Sequence, residues 1–302
     1  MIKIGLVGAA DARSRWFLAA ARRRRAGVRI VGLSEPDPTV REEAARLLDL
    51  PAWQDHLSML DAVAPNLVAV AQADPGRVVI DALRHNADVL VLPPLCGTAA
   101  ELDSIVELAA TTGRRVSAAV TYRGHPATRT AQELIKRLGR VELVSLLVDA
   151  ASDEARTSIL EAMDVFRVLT GAPIDRVTMI TDGHPAREDD PAELRTGFGE
   201  LILVGSADAA ADAPAFEVRR RPDDAGHREV IQIVGDEGAV EWDTRTGTLR
   251  SALAGRDPVT VSCGAPDQAE WLLNNLIRRR EPLISTEYSA ALTRALLSAE
   301  LS

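Results

Sequence analysis

Cysteine is nearly missing from the chain: 302 residues contain two, Cys96 and Cys263. They lie far apart and outside any CxxC spacing, which excludes a disulfide framework and a cysteine-type zinc site. Each reads as a small buried hydrophobe. No apolar run approaches the ~20 residues that cross a bilayer, so no membrane span is expected. Positive charge is also short, because 35 Lys and Arg face 44 Asp and Glu for a formal net charge of −9. Nucleic acid is therefore not expected as a partner, since phosphate binding needs clustered cations. The one basic cluster, Arg22 to Arg25, precedes Gly27 at a predicted helix end, where cations complement the helix dipole. The opening MIKIGLVGAA enters a strand directly, without the basic segment, apolar stretch and cleavage site of a signal peptide, and a cytoplasmic location is expected. His56, His85, His184 and His227 lack ligand spacing, so no metal site is expected.

What is present is an ordinary globular composition, 46% hydrophobic and 26% charged, in a chain about twice the usual domain length. The first part alternates apolar strands with amphipathic segments, the pattern of a parallel sheet covered by helices. Strands are predicted over 2–7, 28–34, 67–71, 89–92 and 116–120, with helices over 12–25, 39–48, 56–63, 76–85 and 99–112. Leu67 to Ala71 is apolar throughout, as a central strand buried on both faces should be. Five βα steps suffice for a doubly wound sheet with its ligand crevice at the strand C-termini. After Tyr122 strands follow one another with only turns between them, which marks a second domain. The predicted division is 1–121 and 122–302. In the second part helices are predicted over 127–138, 156–169, 267–280 and 288–301, and strands over 141–148, 176–181, 197–204, 215–220, 229–234 and 239–242. The polar stretches 182–193, 206–214 and 221–227 read as turns or loops.

A dinucleotide fingerprint needs glycines where the chain turns tightly, where phosphate meets backbone N–H groups, and where helix packs on strand. Here those positions are Gly8, Ala10 and Arg13, with Ala9 inside the turn. Only the first glycine is intact. The context is right: the segment follows a strand, opens a helix, and is succeeded at the end of the second strand by Glu35. A carboxylate there accepts from ribose hydroxyls and favours NAD over NADP, because a 2′-phosphate would meet like charge. A turn carboxylate ahead of Pro36 is the alternative for Glu35. Arg13 either reaches a phosphate or sits on the helix surface.

Taken together, IGLVGAA, LSEPDP, ALRHNADVLVLPPL, YRGHPA, MDVFRVLTGAPIDRV, IQIVGDEGAVEW and RRREPLISTEYSAAL resemble the Gfo/Idh/MocA family of oxidoreductases. The resemblance runs along essentially the whole chain. It implies an α/β Rossmann domain followed by an α+β domain with a large, mostly antiparallel sheet. It also implies NAD or NADP as cofactor, a sugar or cyclitol as substrate, and homodimers or homotetramers formed through that sheet. The departures are specific. Where the family carries Glu-Lys-Pro after the fourth strand, this chain reads Leu92, Pro93, Pro94, and a proline can neither donate nor accept the proton. Pro94 stands where the family often has a cis peptide bond. In the second-domain helix, the family's aspartate, histidine and aspartate fall on Thr157, Glu161 and Asp164. Offsets of four and seven keep these three on one face, beside an apolar stripe of Ile159, Met163 and Phe166.

Glu161 and Asp164 are the candidate catalytic acid and base, since paired carboxylates in a cleft repel and one can hold its proton to higher pH. A solvated acidic face is the alternative. Arg123 and Thr157 are candidate substrate contacts, with a surface salt bridge the alternative for Arg123. The resemblance places Gln72, Asp74 and Pro94 on the nicotinamide side. His125, before Pro126, reads as a capping or loop histidine, and Trp242 as sheet packing. Three functions remain open: a divergent NAD(P)-dependent oxidoreductase, a catalytically silent relative that binds a small molecule or an active paralogue, or redox-neutral chemistry with a tightly held nicotinamide.

Overall fold

The computed structural model describes residues 1–9, 27–148, 152–172, 174, 176–181, 184–185, 201–206, 214–220, 229–264 and 284–300. The predicted helices over 12–25 and 267–280 lie outside the described residues. The chain divides into two compact units, Met1–Ala119 with Ala269–Arg294, and Val120–Gln268 with Ala295–Ser302. The sequence pattern, by contrast, suggests a single cut at 121/122.

The first unit is built on a six-stranded parallel sheet in the order β3-β2-β1-β4-β5-β6. Its strands are β1 (Ile2–Val7), β2 (Val28–Ser34), β3 (Ala52–Trp53), β4 (Leu67–Val70), β5 (Asp88–Val91) and β6 (Val116–Ala118). Every residue of β4 is buried, as its unbroken Leu-Val-Ala-Val run requires of a central strand. The two-residue β3 carries no periodic pattern and is not visible in sequence. Helices α1 (Pro38–Leu48), α2 (His56–Val63), α3 (Gly76–Arg84) and α4 (Ala99–Thr112) connect the strands. Their starts follow from local chemistry. The Asp37 carboxylate accepts the N–H groups of Thr39 and Val40 at 2.8 and 3.1 Å, with Pro38 opening α1. Thr98 and Glu101 form a reciprocal capping box at α4.

β6 is the sheet's last strand, and its exposed backbone donors need partners. The helix Thr286–Glu300 supplies hydroxyls to them. Val116 N–H donates to Thr286 Oγ1 at 3.0 Å and Ala118 N–H to Ser289 Oγ at 3.1 Å, while Ser117 Oγ donates to the Ile284 carbonyl at 2.7 Å. Ser289 is fully buried there.

The second unit carries a nine-stranded sheet in the order β15-β14-β13-β12-β7-β11-β10-β8-β9. The strands are β7 (Val141–Val148), β8 (Arg176–Thr181), β9 (His184–Pro185), β10 (Leu201–Ser206), β11 (Ala215–Arg220), β12 (Glu229–Gly235), β13 (Gly238–Asp243), β14 (Thr248–Leu253) and β15 (Val259–Ser262). Among the described residues only the β7–β11 pairing is parallel, and the other seven are antiparallel. Helices α5 (Pro126–Ile135) and α6 (Ser152–Thr170) belong to this unit. The final helix, α7 (Thr286–Glu300), spans the division between the units.

In this unit three strands correct the sequence reading. β14 is absent from it because the buried Ser251 breaks the apolar alternation, and β15 because four mostly exposed residues carry little apolar signal. His184–Pro185 pairs with Ile180 and Thr181 inside a stretch read as loop.

Candidate functional site

In the first unit β1 lies between β2 and β4, so the direction of winding reverses at its C-terminal end, where open α/β sheets bind ligands. Gly8 occupies that point with φ of +86°, and a Cβ added to it would lie 2.1 Å from the Ala71 carbonyl oxygen. Both the left-handed backbone and the close approach require glycine. The turn is pinned on both sides: Gly8 N–H donates to the Ser34 carbonyl at 3.0 Å, and Ala71 N–H to that of Val7 at 2.8 Å.

Glu35 follows β2 directly and is 6% exposed. Its Oε2 accepts the Ala9 N–H at 2.8 Å and its Oε1 the Asp37 N–H at 3.1 Å. The carboxylate therefore joins the end of β2 to the turn after β1. Arg41 Nη1 donates to the Glu35 and Pro36 carbonyls at 2.9 and 3.0 Å, which places a guanidinium beside the same loop. Ala10 and Arg13 lie outside the described residues. After β4, Gln72 Nε2 donates to the Asp74 carbonyl at 2.6 Å. After β5, Pro93 and Pro94 are buried and joined by a cis peptide bond. Cys96 beyond them is fully buried, and burial pushes its thiol up to about 12.

In the second unit a polar cluster forms where the 3-10 turn Tyr122–Gly124 meets α6. Arg123 Nε donates to both oxygens of Asp164 at 2.7 and 2.8 Å, and Nη2 donates to Oδ1 at 2.6 Å. Asp164 is 0% exposed and Arg123 27%. The pair is thus a buried carboxylate held by a half-buried fork, in place of the surface salt bridge weighed for Arg123. Glu161 Oε1 accepts from Thr121 Oγ1 at 2.9 Å. Thr157 is buried, as are Ile159, Met163 and Phe166. The solvated acidic face considered for α6 therefore does not hold at Asp164, which is completely buried, while Glu161 is half-buried.

Behind this cluster stands a network that sequence reasoning missed. The Tyr122 hydroxyl donates to Glu229 Oε2, and the same carboxylate accepts from Ser158 Oγ at 3.4 Å and Thr244 Oγ1 at 3.3 Å. Burial, reinforced by the Glu229 and Glu161 charges, raises the Tyr122 phenol well above its ordinary value. The only sequence signal was an acidic residue opening an apolar strand, which reads equally well as a solvent-facing end.

His125 accepts the Ala127 N–H at Nδ1, 2.9 Å away, as the cap of α5, and its Nε2 donates to the Thr244 carbonyl at 2.9 Å. Those partners fix the neutral Nε2–H form, and burial pushes its pKa down. Trp242 is fully buried with its indole edge-on to Tyr122 and His125. Among the described residues no group of His, Cys, Asp and Glu has metal-binding geometry, and no helix is long and apolar enough to cross a membrane.

Residues 2–120 match the family model described as oxidoreductase family, NAD-binding Rossmann fold. A sequence comparison with curated proteins gives no match. Solved structures match over the whole chain. Biliverdin reductase from Synechocystis sp. PCC 6803, in complex with biliverdin and NADP+, has a TM-score of 0.79 at 13% identity, covering 99% of this chain and 98% of that one. The oxidoreductase domain protein from Kribbella flavida has a TM-score of 0.75 at 18% identity, covering 99% and 96%. GenD2 from gentamicin A biosynthesis, in complex with NAD, has a TM-score of 0.76 at 15% identity, covering 99% and 93%. These likenesses establish the two-sheet fold. Residues 2–120, which include the glycine turn at Gly8 and the carboxylate at Glu35, thus match the Gfo/Idh/MocA model of NAD-binding oxidoreductases, and the whole chain shares the two-sheet fold of solved oxidoreductases at low identity.

Proposed function

We propose that the chain is an NAD-dependent oxidoreductase acting on a sugar, cyclitol or related small polar molecule, with NADP the second choice of cofactor. The observation that supports this best is the buried Glu35 carboxylate fixed beside the Gly8 turn at the point where the winding reverses. The residues fit a dinucleotide. Gly8 and Ala9 would hold its turn-facing portion, with Ala10 and Arg13 in the same segment. Glu35 would accept from the adenosine ribose. Gln72 and Pro94, after neighbouring strands, would face the nicotinamide end. When bound, the nicotinamide supplies the redox chemistry, and the chain's own residues bind, orient and move the proton.

Pro93 has no titratable group, so proton transfer requires another residue. Glu161 suits it: the side chain is half-buried and Thr121 orients one of its oxygens. Asp164, sealed against Arg123, instead serves to hold that guanidinium in place, and Arg123 with Thr157 would position a polar substrate. The test is a calorimetric titration of purified protein with NADH, followed by the Glu35→Ala variant. Binding to the wild type, weakened about tenfold or more in the variant, supports the reading, from the typical strength of a charged hydrogen bond. No binding of either nicotinamide overturns it.

A second reading has its own observation. The one carboxylate of α6 that matches the family pattern is fully buried and clamped, and the lysine position is proline. Both features suit a catalytically silent relative that binds a small molecule or pairs with an active paralogue. Substrate-dependent change in NADH absorbance across a panel of polyols and their ketones would refute it. Under either reading we propose a homodimer or homotetramer formed through the nine-stranded sheet, which light scattering of the purified chain tests directly.

A further inference from the structure

We infer that the seam between α2 and α3 is cross-braced by two histidines, one brace standing in either charge state of its ring and the other completed only by a proton, so that acid tightens the seam. The inference stands apart from the cofactor reading, and none of its residues belongs to the candidate site. The two helices exchange partners reciprocally. From α2, His56 Nε2 donates to Asp81 Oδ2 on α3 at 3.0 Å; from the end of α3, His85 Nε2 meets Asp61 Oδ1 on α2 at 3.1 Å. Asp81 is 6% exposed and also receives Arg77 Nε at 3.2 Å and Arg84 Nη1 at 3.5 Å from its own helix. Burial alone would raise the Asp81 carboxyl, but the bonds from His56 and Arg77 hold it below its ordinary value. A carboxylate that stays charged accepts the His56 N–H whether that ring is neutral or cationic, so the first brace needs no proton.

His85 differs because both of its ring nitrogens face acceptors. Nδ1 lies 2.7 Å from the Asp81 carbonyl oxygen, and Nε2 3.1 Å from the Asp61 carboxylate. A neutral imidazole carries one N–H, so whichever tautomer forms, one lone pair points at an oxygen. Donating from Nδ1 sets the Nε2 lone pair against a charged oxygen and opens the second brace, whereas the imidazolium donates to both and closes it. The Asp81 carbonyl also accepts the backbone N–H of His85 at 3.0 Å, so the ring is folded back onto the last turn of α3. Asp61 is 75% exposed, and solvent keeps the effect of this brace modest. Among the described residues the other charges around the seam are engaged elsewhere. Asp55 caps α2 through Ser58, Arg114 Nε donates to Asn86 Oδ1 at 2.8 Å, and Arg115 binds Asp88 at 3.2 Å. On α4, Glu101 sits in its own capping box, Asp103 binds Arg294 and Glu107 is exposed.

The test uses the full-length chain at about pH 5.5 and about pH 7.5, on either side of the imidazole range. Amide hydrogen exchange at His85, Asn86 and Ala87, whose N–H groups bond back into α3, reads closure of the seam. Rates are corrected for the intrinsic pH dependence and taken relative to the amides of α4, which removes any change in global stability. In the wild type these three amides are expected to be about threefold better protected at the lower pH. Asp61→Asn is the decisive variant. Its amide can turn to donate to the Nε2 lone pair of a neutral His85, so the seam stays closed at both pH values and the difference vanishes. His85→Gln carries no imidazole and is expected to show no difference either. His56→Gln removes the other brace and is expected to keep the difference on a lower baseline of protection. Equal protection of the wild-type amides at the two pH values overturns the inference, and so does a difference that survives in Asp61→Asn.

Discussion

Replacing Arg123 by methionine leaves the Asp164 carboxylate in the interior without its guanidinium. The magnitude follows from the asymmetry of the pair, since Asp164 is 0% exposed whereas Arg123 keeps 27% of its side chain accessible. Removing one partner of a buried pair typically costs about 3–5 kcal/mol, because the remaining charge keeps its desolvation penalty. Asp164→Asn should cost less: the guanidinium it strands already reaches water, and the amide oxygen can still accept from Arg123 Nε. Arg123→Met combined with Asp164→Leu should recover at least half of the loss, since a packed apolar pair carries no buried charge. For a unit of this size each kcal/mol corresponds to about 2–4 °C, so Arg123→Met should lower the second unit's transition by roughly 6–20 °C. Differential scanning calorimetry of the full chain resolves this. If Arg123→Met costs no more than Asp164→Asn, the pair is not the buried clamp described.

Three further outcomes follow from the geometry. Gly8→Ala places a methyl 2.1 Å from the Ala71 carbonyl at a φ of +86°, and should destabilise the first unit by more than the ~1–2 kcal/mol of the left-handed backbone alone, measured by denaturant unfolding. His125 is held neutral, with its pKa pushed below the ordinary 6.5. The unfolded chain therefore binds the extra proton first as pH falls. His125 thus contributes stability that is present above about pH 6.5 and lost on acidification, and His125→Asn, which keeps a cap, should flatten the fall in stability between about pH 7 and 5. Cys96 is fully buried with its thiol raised to about 12, whereas Cys263 is partly accessible. Ellman's reagent at pH 8 should titrate one thiol in the native protein and the second only after unfolding.

Much of the first unit was legible because its signals are local and redundant. The helix over 99–112 carries a capping box at Thr98 and a left-handed glycine at Gly113, and both ends fall where those residues put them. The β4 run could be recognised as central because a strand covered on both faces needs no polar alternation. What stayed hidden depends on contacts distant in sequence. β3 exists only because Leu33 and Ser34 offer it an edge, and nothing within Ala52–Trp53 announces a strand. The hydroxyls of Thr286 and Ser289 look like ordinary helix residues until β6 is seen to need partners for its amides.

The candidate site divides along the same line, and the division bears on how its residues should be weighed. Counting offsets along α6 placed Thr157, Glu161 and Asp164 on one face, but counting carries no information about what that face meets. The structure sets Arg123 against Asp164, Thr121 against Glu161, and Tyr122 against Glu229. Three consecutive residues of one turn thereby engage three different carboxylates, one of which lies on a strand more than a hundred residues away. Asp164 receives the full positive charge of Arg123 and is completely buried. A proton-transfer group has to exchange its proton with something outside the core, so complete burial and a bidentate cation argue against Asp164, while partial exposure argues for Glu161. Ranking the two carboxylates therefore rests on partners supplied by the turn at 121–123, which the spacing within α6 could not reveal.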